Sequence, residues 1–287
     1  MTSNPQRKGE IYALSLTFLE GWFPIFASFS VAVLGGLHSY FYSLIVASAS
    51  LGIWWIIRGN VKQILVHEAW FDLAMTSLFI TSLFALTFVG LAYTSATNVA
   101  ILLFLQILFS YLFLGRKEQE KLNRLHLIGA ILMTFGALLV LFRGEMKLQF
   151  GDLLVLLAAM IAPIANFYQK KARARVSSET VLLVRSVVSL PFVYLLAVWL
   201  EPSPSWQEIQ SQFLWLFLTG FTTLSIAKIL WVEAIHLLPI TKVNALFAFS
   251  PLMTMGLAYL VLNDVPTLSQ ILGMIPILVG GYLITRR

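Results

Sequence analysis

The sequence predicts an all-α integral membrane protein, with ten transmembrane helices arranged as two inverted five-helix repeats. Three observations lead there. Of 287 residues, 59% are hydrophobic and only 11% are charged, against about 25% charged in soluble domains. Long stretches carry no Asp, Glu, Lys or Arg, among them Gly21 to Ile57 and Leu73 to Gly115. The two halves also echo each other, since Gly129 and Gly136 return as Gly273 and Gly280 at an offset of 144 residues. This composition excludes a soluble globular protein, and the 14% aromatic content excludes disorder. A crossing helix takes about 20 apolar residues plus a short connection, so the chain holds about ten crossings and no sizeable aqueous domain. With no cysteine there is no disulfide, Cys-based metal site or thiol nucleophile.

Each charge-free run is too long for one crossing and must be divided by its polar punctuation, at Gly35-Gly36 and at Tyr93 to Asn98. The ten helices are expected at 11–34, 38–57, 70–92, 98–114, 125–142, 151–168, 180–200, 213–235, 243–262 and 267–284. Unbroken apolar runs argue against membrane strands, which alternate. Trp54, Trp55, Trp70, Trp199 and Trp215 fall near the expected helix ends, where amphipathic rings prefer the interface, whereas Trp22 and Trp231 do not. Trp206 to Gln212 follows Pro202 and Pro204, is too polar to cross, and reads as a short surface helix.

Basic residues set the orientation. With the N-terminus inside, fifteen Lys and Arg fall in cytoplasmic segments, including Arg58, Lys62, Arg116, Lys117, Lys121, Arg124, Lys170, Lys171, Arg173, Arg175, Lys242, Arg286 and Arg287. Only Arg143 and Lys147 fall outside, and Arg185 and Lys228 lie within helices. Both termini are then cytoplasmic. The net charge of +6 is a topology signal and gives no reason to expect a nucleic-acid partner.

The halves begin alike, with Gly9-Glu10 before the first helix and Gly151-Asp152 before the sixth, giving repeats at 9–142 and 151–286. Five helices per repeat is an odd number, so the second repeat enters the membrane from the opposite side. The stretches Gly-Leu-Ala-Tyr-Thr-Ser-Ala-Thr-Asn (90–98), Leu-Phe-Leu-Gly (112–115) and Leu-Ile-Gly-Ala-Ile-Leu-Met-Thr-Phe-Gly (127–136) close the first half. Ala-Ile-His-Leu-Leu-Pro-Ile-Thr-Lys-Val (234–243), Ser250-Pro251 and Gly273 to Gly281 close the second. In these the chain resembles the EamA-type members of the drug/metabolite transporter superfamily. The resemblance implies a central cavity, a plasma (inner) membrane location, and export of small metabolites such as amino acids. The sequence departs from the family pattern where Ile107 stands opposite Pro251, and where Gly115-Arg116 and Asn263-Asp264 replace a Gly-Glu pair.

Charges placed in a bilayer mark functional sites by default, because each costs about 2.5–3.5 kcal/mol on insertion scales. Glu20 in the first helix and Lys228 in the eighth sit at similar depth, and are expected to face one cavity as a pair across the two halves. The alternative is a static pair that only fixes packing. Glu20 is also the candidate for carrying a coupling proton. Arg185 and Glu233, nearer helix ends, read as an interfacial pair, with Arg185 snorkelling to the cytoplasm. Asn98, Gln106, Asn166 and Asn244 are the neutral polar candidates for the pathway, with interhelical packing as the alternative. Trp22, Phe23 and Trp231 are the candidates for an aromatic wall, with lipid or neighbouring helices as the alternative. Pro24 and Pro163, in equivalent helices of the two halves, are the candidate hinges, since matched interruptions point to a transporter's binding site.

No enzyme is expected. His67-Glu68-Ala69-Trp70-Phe71 lacks the second His of a zinc-protease motif, and there is no phosphate-binding Gly-x-x-x-x-Gly-Lys loop. No cofactor or metal is called for, and oligomeric state is not legible. The expected function is secondary or facilitative transport of a small molecule by alternating access. The rivals are a non-transporting membrane scaffold or receptor and, less favoured, a membrane-embedded enzyme.

Overall fold

The computed structural model describes residues 5–114, 124–141 and 149–285. Arg116, Lys117, Lys121, Arg143, Lys147, Arg286 and Arg287, and the Gly115-Arg116 step, lie outside the described residues. Among those described, every regular element is helical. In chain order these are α1 (Pro5–Gly21), α2 (Phe23–Leu34), α3 (Gly36–Ile57), α4 (Trp70–Leu91), α5 (Ala96–Phe104), α6 (Gln106–Leu114) and α7 (Arg124–Leu141). There follow α8 (Phe150–Arg173), α9 (Ser178–Leu200), α10 (Trp206–Ser211), α11 (Phe213–Leu218), α12 (Ala227–Leu237), α13 (Ile240–Leu246), α14 (Ser250–Leu262) and α15 (Leu268–Thr285).

Seven helical segments are long and apolar enough to cross a membrane: Pro5–Leu34, Gly36–Ile57, His67–Leu91, Ala96–Phe113, Phe150–Arg173, Ser178–Leu200 and Phe213–Leu237. They stand where the first four, sixth, seventh and eighth helices are expected. Shorter apolar helices, Arg124–Val140, Ser250–Leu262 and Leu268–Ile284, occupy the places of the fifth, ninth and tenth. Their outer faces are apolar, with Leu195, Leu260 and Ile275 among the exposed side chains, as a hydrocarbon solvent requires.

The helix interruptions differ in part from expectation. The first segment breaks at Trp22, and Pro24 sits in the first turn of α2, where its missing N–H costs no helical bond. Pro163 lies inside the unbroken α8. A long helix buried against its neighbours tolerates one lost backbone bond, so the first and sixth segments are not interrupted alike. Matched breaks occur instead in the fourth and ninth segments. The fourth divides at Leu105, and the ninth at the 3-10 turn Phe247–Phe249, with Pro251 in the first turn of α14.

Close glycine contacts join the halves. A Cβ on Gly129 would stand 2.7 Å from the Gly280 carbonyl oxygen, and one on Gly273 would stand 2.7 Å from that of Gly136. Backbone therefore meets backbone between α7 and α15, as small residues allow in membranes. The residues opening the halves also pack alike. Gly9 lies against Leu238 after α12, and Gly151 against Tyr93 after α4. The acidic residues that follow then find partners: Lys242 donates to Glu10 at 2.5 Å and Asn98 to Asp152 at 2.7 Å. Lys242 and Asn98 are themselves 144 positions apart.

Gly35, at φ 83°, turns the chain sharply between α2 and α3. The Glu201 carboxylate accepts the N–H groups of Leu37 and His38 at 2.8 and 3.0 Å, meeting orphan donors and the positive end of α3 together. The expected surface helix is α10, closed by a capping box between Ser205 and Glu208. The Ser205 backbone N–H, then its hydroxyl, hold the Glu208 carboxyl below the usual range.

Candidate functional site

Glu20 lies just before the break at Trp22, and Lys228 opens α12 just after a wide turn. From Thr219 to Ile226 the helix is π-type: the Ala227 N–H bonds to Thr222 O and the Ser225 hydroxyl to Gly220 O, each five residues back. Such a turn re-phases the residues that follow it, Lys228 and Trp231 among them. Lys228 Nζ donates to Glu20 Oε1 at 2.6 Å. The two side chains are 14% and 9% exposed, so the pair joins residues 208 positions apart inside the protein. Neither charge is stable alone at such a place, and each makes the other tolerable.

The pair forms part of the wall of a cavity of about 80 Å³. Glu20 and Phe23 come from the two sides of the first break, Leu103 and Gln106 from the two sides of the second, and Phe247 from the third. Ala162, Asn166 and Gln169, at helical spacing, give the wall one face of α8. Ile80, Leu83 and Phe84 of α4, Arg185 of α9, and Lys228 and Trp231 of α12 complete it. The cavity thus lies where the irregular backbone converges, the only setting in which membranes tolerate it.

Phe84 is the hub. Its ring meets Phe23 edge-on at 5.9 Å and carries two cations, Lys228 Nζ at 5.2 Å and Arg185 Cζ at 5.8 Å from its centroid. Trp231 Nε1 donates to Asn166 Oδ1 at 3.0 Å. An indole N–H only donates, so this bond fixes which way the Asn166 amide points.

Of the sequence candidates, the structure brings together Glu20, Lys228, Gln106 and Asn166, with Phe23 and Trp231 of the expected aromatic wall. Trp22 is not in this wall, and stacks on Phe26 at 5.1 Å. Asn98 is bound into a separate network, donating to Asp152 and accepting from Gln270 at 2.7 Å. Asn244 is buried without a hydrogen-bond partner among the described residues and is not in the wall. Arg185 and Glu233 do not pair. Arg173 takes Glu233 at 2.9 Å, helped by the Ser178 hydroxyl, while Arg185 is 3% exposed and faces the cavity. The expected helix from 180 puts it near the cytoplasmic end and implies snorkelling, yet α9 starts at Ser178 and packing against Phe84 holds Arg185 inside. Gln169 was equally legible as the residue three positions beyond Asn166 on the same face of α8.

A second cavity, about 480 Å³, is lined by Ser28, Phe29, Thr94, Trp215 and Asp264. Along α2 the chain passes from Phe23 in the first wall to Phe29 in the second. Between them Phe26 packs on Trp22 and lies 6.2 Å from Trp215, which stacks on Phe29 at 4.1 Å.

A polytopic apolar bundle around a charged cavity is a framework that a membrane transporter can use, and the comparisons point to that class. The sequence model of the EamA-like transporter family matches residues 7–142 and again 149–286, and the chain belongs to that family. It is 25% identical over 287 residues to an uncharacterized transporter of Archaeoglobus fulgidus, covering 96% of each chain. An uncharacterized transporter of Synechocystis sp. is 22% identical over 231 residues, 76% of this chain and 66% of that one. The uncharacterized transporter YoaV of Bacillus subtilis is 22% identical over 205 residues, 68% of each. A protein crystal structure superposes with TM-score 0.72 at 19% identity, over 97% of this chain and 96% of that one, a likeness of fold. The family and these relatives point to a membrane transporter rather than an enzyme.

Proposed function

We propose that this chain is a secondary transporter of small metabolites, working by alternating access around the Glu20–Lys228 cavity. One observation carries the reading. The ion pair spans the two halves in the wall of a buried cavity, so relative movement of the halves must remake or break it. Substrate, or a proton on Glu20, is the natural competitor for that bond.

In this reading the seven long segments and three shorter helices make ten crossings, in two inverted repeats at 9–142 and 151–286. The reciprocal glycine contacts of α7 with α15 support it, as does the paired placement of Glu10–Lys242 and Asp152–Asn98. Both termini face the cytoplasm across the plasma membrane. Gln106 and Asn166 contact substrate, the aromatic stack of Phe26, Trp215 and Phe29 separates the cavity from the 480 Å³ vestibule, and Trp22 packs behind it. Asn98 and Asn244 act outside the cavity wall. Pro24 marks one flexible point, and Pro163 sits inside α8 without interrupting it. Export of amino acids is the family-based choice of cargo and direction.

Counterflow tests this. Proteoliposomes loaded with unlabelled amino acids should accumulate trace labelled amino acid beyond protein-free controls, and Glu20→Gln should slow it at least about tenfold. Folded protein without accumulation contradicts amino-acid transport. Unchanged rate and pH dependence in Glu20→Gln contradict a functional role for the pair.

A further inference from the structure

We propose that the cavity selects small organic anions, seating a carboxylate against Arg185 and Gln169. The proposal rests on the transport reading for the ligand's fate, not for its binding. Three side chains in the wall carry charge: Glu20, Lys228 and Arg185. The first two neutralise each other at 2.6 Å, leaving one positive charge in surplus. Arg185 is 3% exposed, and its Nη1 is buried with no hydrogen-bond partner among the described residues. A guanidinium does not shed its proton in a protein, and an unpaired buried charge is costly. The Phe84 face offsets part of that cost but is shared with Lys228.

The neutral groups lean the same way. Gln169 is 1% exposed, and its Nε2 is also buried without a partner among the described residues. Asn166 turns its carbonyl to Trp231, which leaves its NH2 to the cavity. Arg185, Gln169 and Asn166 therefore present donors, and an ionised carboxylate is a group that only accepts. Its planar pair of oxygens matches the guanidinium fork. Phe23, Leu83, Leu103 and Phe247 offer the rest of the ligand an apolar surface, which suits a short branched carbon body. A monoanion cancels the surplus charge. A zwitterion does not, and its ammonium must first take Glu20 from Lys228.

Isothermal titration of the detergent-solubilised full chain tests this with isobutyrate, isobutyramide and isobutylamine, which share one body. Isobutyrate should bind at least about tenfold tighter than either analogue, the range for a hydrogen bond to a charged partner. Arg185→Gln should abolish that preference and Arg185→Lys should keep part of it. Equal binding by the amide or the amine, or no binding of isobutyrate, overturns the proposal. So does an undiminished preference in Arg185→Gln. The wild-type series decides even where the variant does not fold. A carboxylate preference without amino-acid counterflow upholds the selectivity and refutes amino acids as the cargo. Amino-acid counterflow without the preference does the reverse.

Discussion

Removing one member of the Glu20–Lys228 pair leaves the other buried and unpaired, which costs about 3–5 kcal/mol in such settings. Glu20→Gln should therefore lower the midpoint of thermal unfolding in detergent. The double variant Glu20→Gln with Lys228→Met removes both charges and should recover most of that stability while transport stays lost. If the double variant transports normally, the pair is only a packing device. Glu20 and Lys228 were legible because a charge inside an apolar run has no inexpensive explanation. Arg185 obeys the same rule, but its nearness to a helix end offered snorkelling as an escape that its packing on Phe84 denies. The amides were harder to rank. When every helix face is apolar, periodicity does not say which face points inward. Asn166 and Gln106 turned in, while Asn98 went to the Asp152 network.

At the level of elements, the α7–α15 seam depends on four glycines. Gly136→Ala places a methyl group 2.7 Å from Ile277 Cγ1 and closer still to the Gly273 carbonyl oxygen. It should cost about 1–3 kcal/mol, as overpacking does. Gly256→Ala in α14 meets nothing within 4 Å and should be neutral, or stabilising by about 0.5–1 kcal/mol from helix propensity. Thermal unfolding of both variants checks the contrast, and equal effects would remove the seam from the account. The 144-residue echo of these glycines could be read directly, but the helix breaks could not. Pro163 has the residue type of a breaker within a helix that holds, while Leu105 breaks without one. On α10, the Glu208 capping contribution is present above the ordinary carboxylate range, because its folded-state value is lowered. It should disappear as pH falls through that lowered value, seen as faster amide exchange at Ser205, whose N–H the carboxylate accepts, once corrected for intrinsic rates. An unchanged protection factor would contradict it.

Across the whole molecule, the apolar segments were the most legible feature, since a bilayer dictates both their length and their composition. The proposed sidedness rests on the basic residues and is testable, because the chain has no native cysteine. Lys62→Cys and Gln207→Cys, both at exposed positions, should react with an impermeant maleimide from opposite faces of the membrane. Reaction of both from one face would break the ten-crossing arrangement.

The most direct test of the central claim places one cysteine in the cavity wall. Ala162 is 2% exposed and lines the cavity on the same α8 face as Asn166. Ala162→Cys would be treated with an impermeant maleimide in right-side-out and in inverted vesicles, and counterflow measured after each. Alternating access predicts modification from both sides and loss of transport in both cases. Modification from one side only, or from neither while transport proceeds, would contradict it.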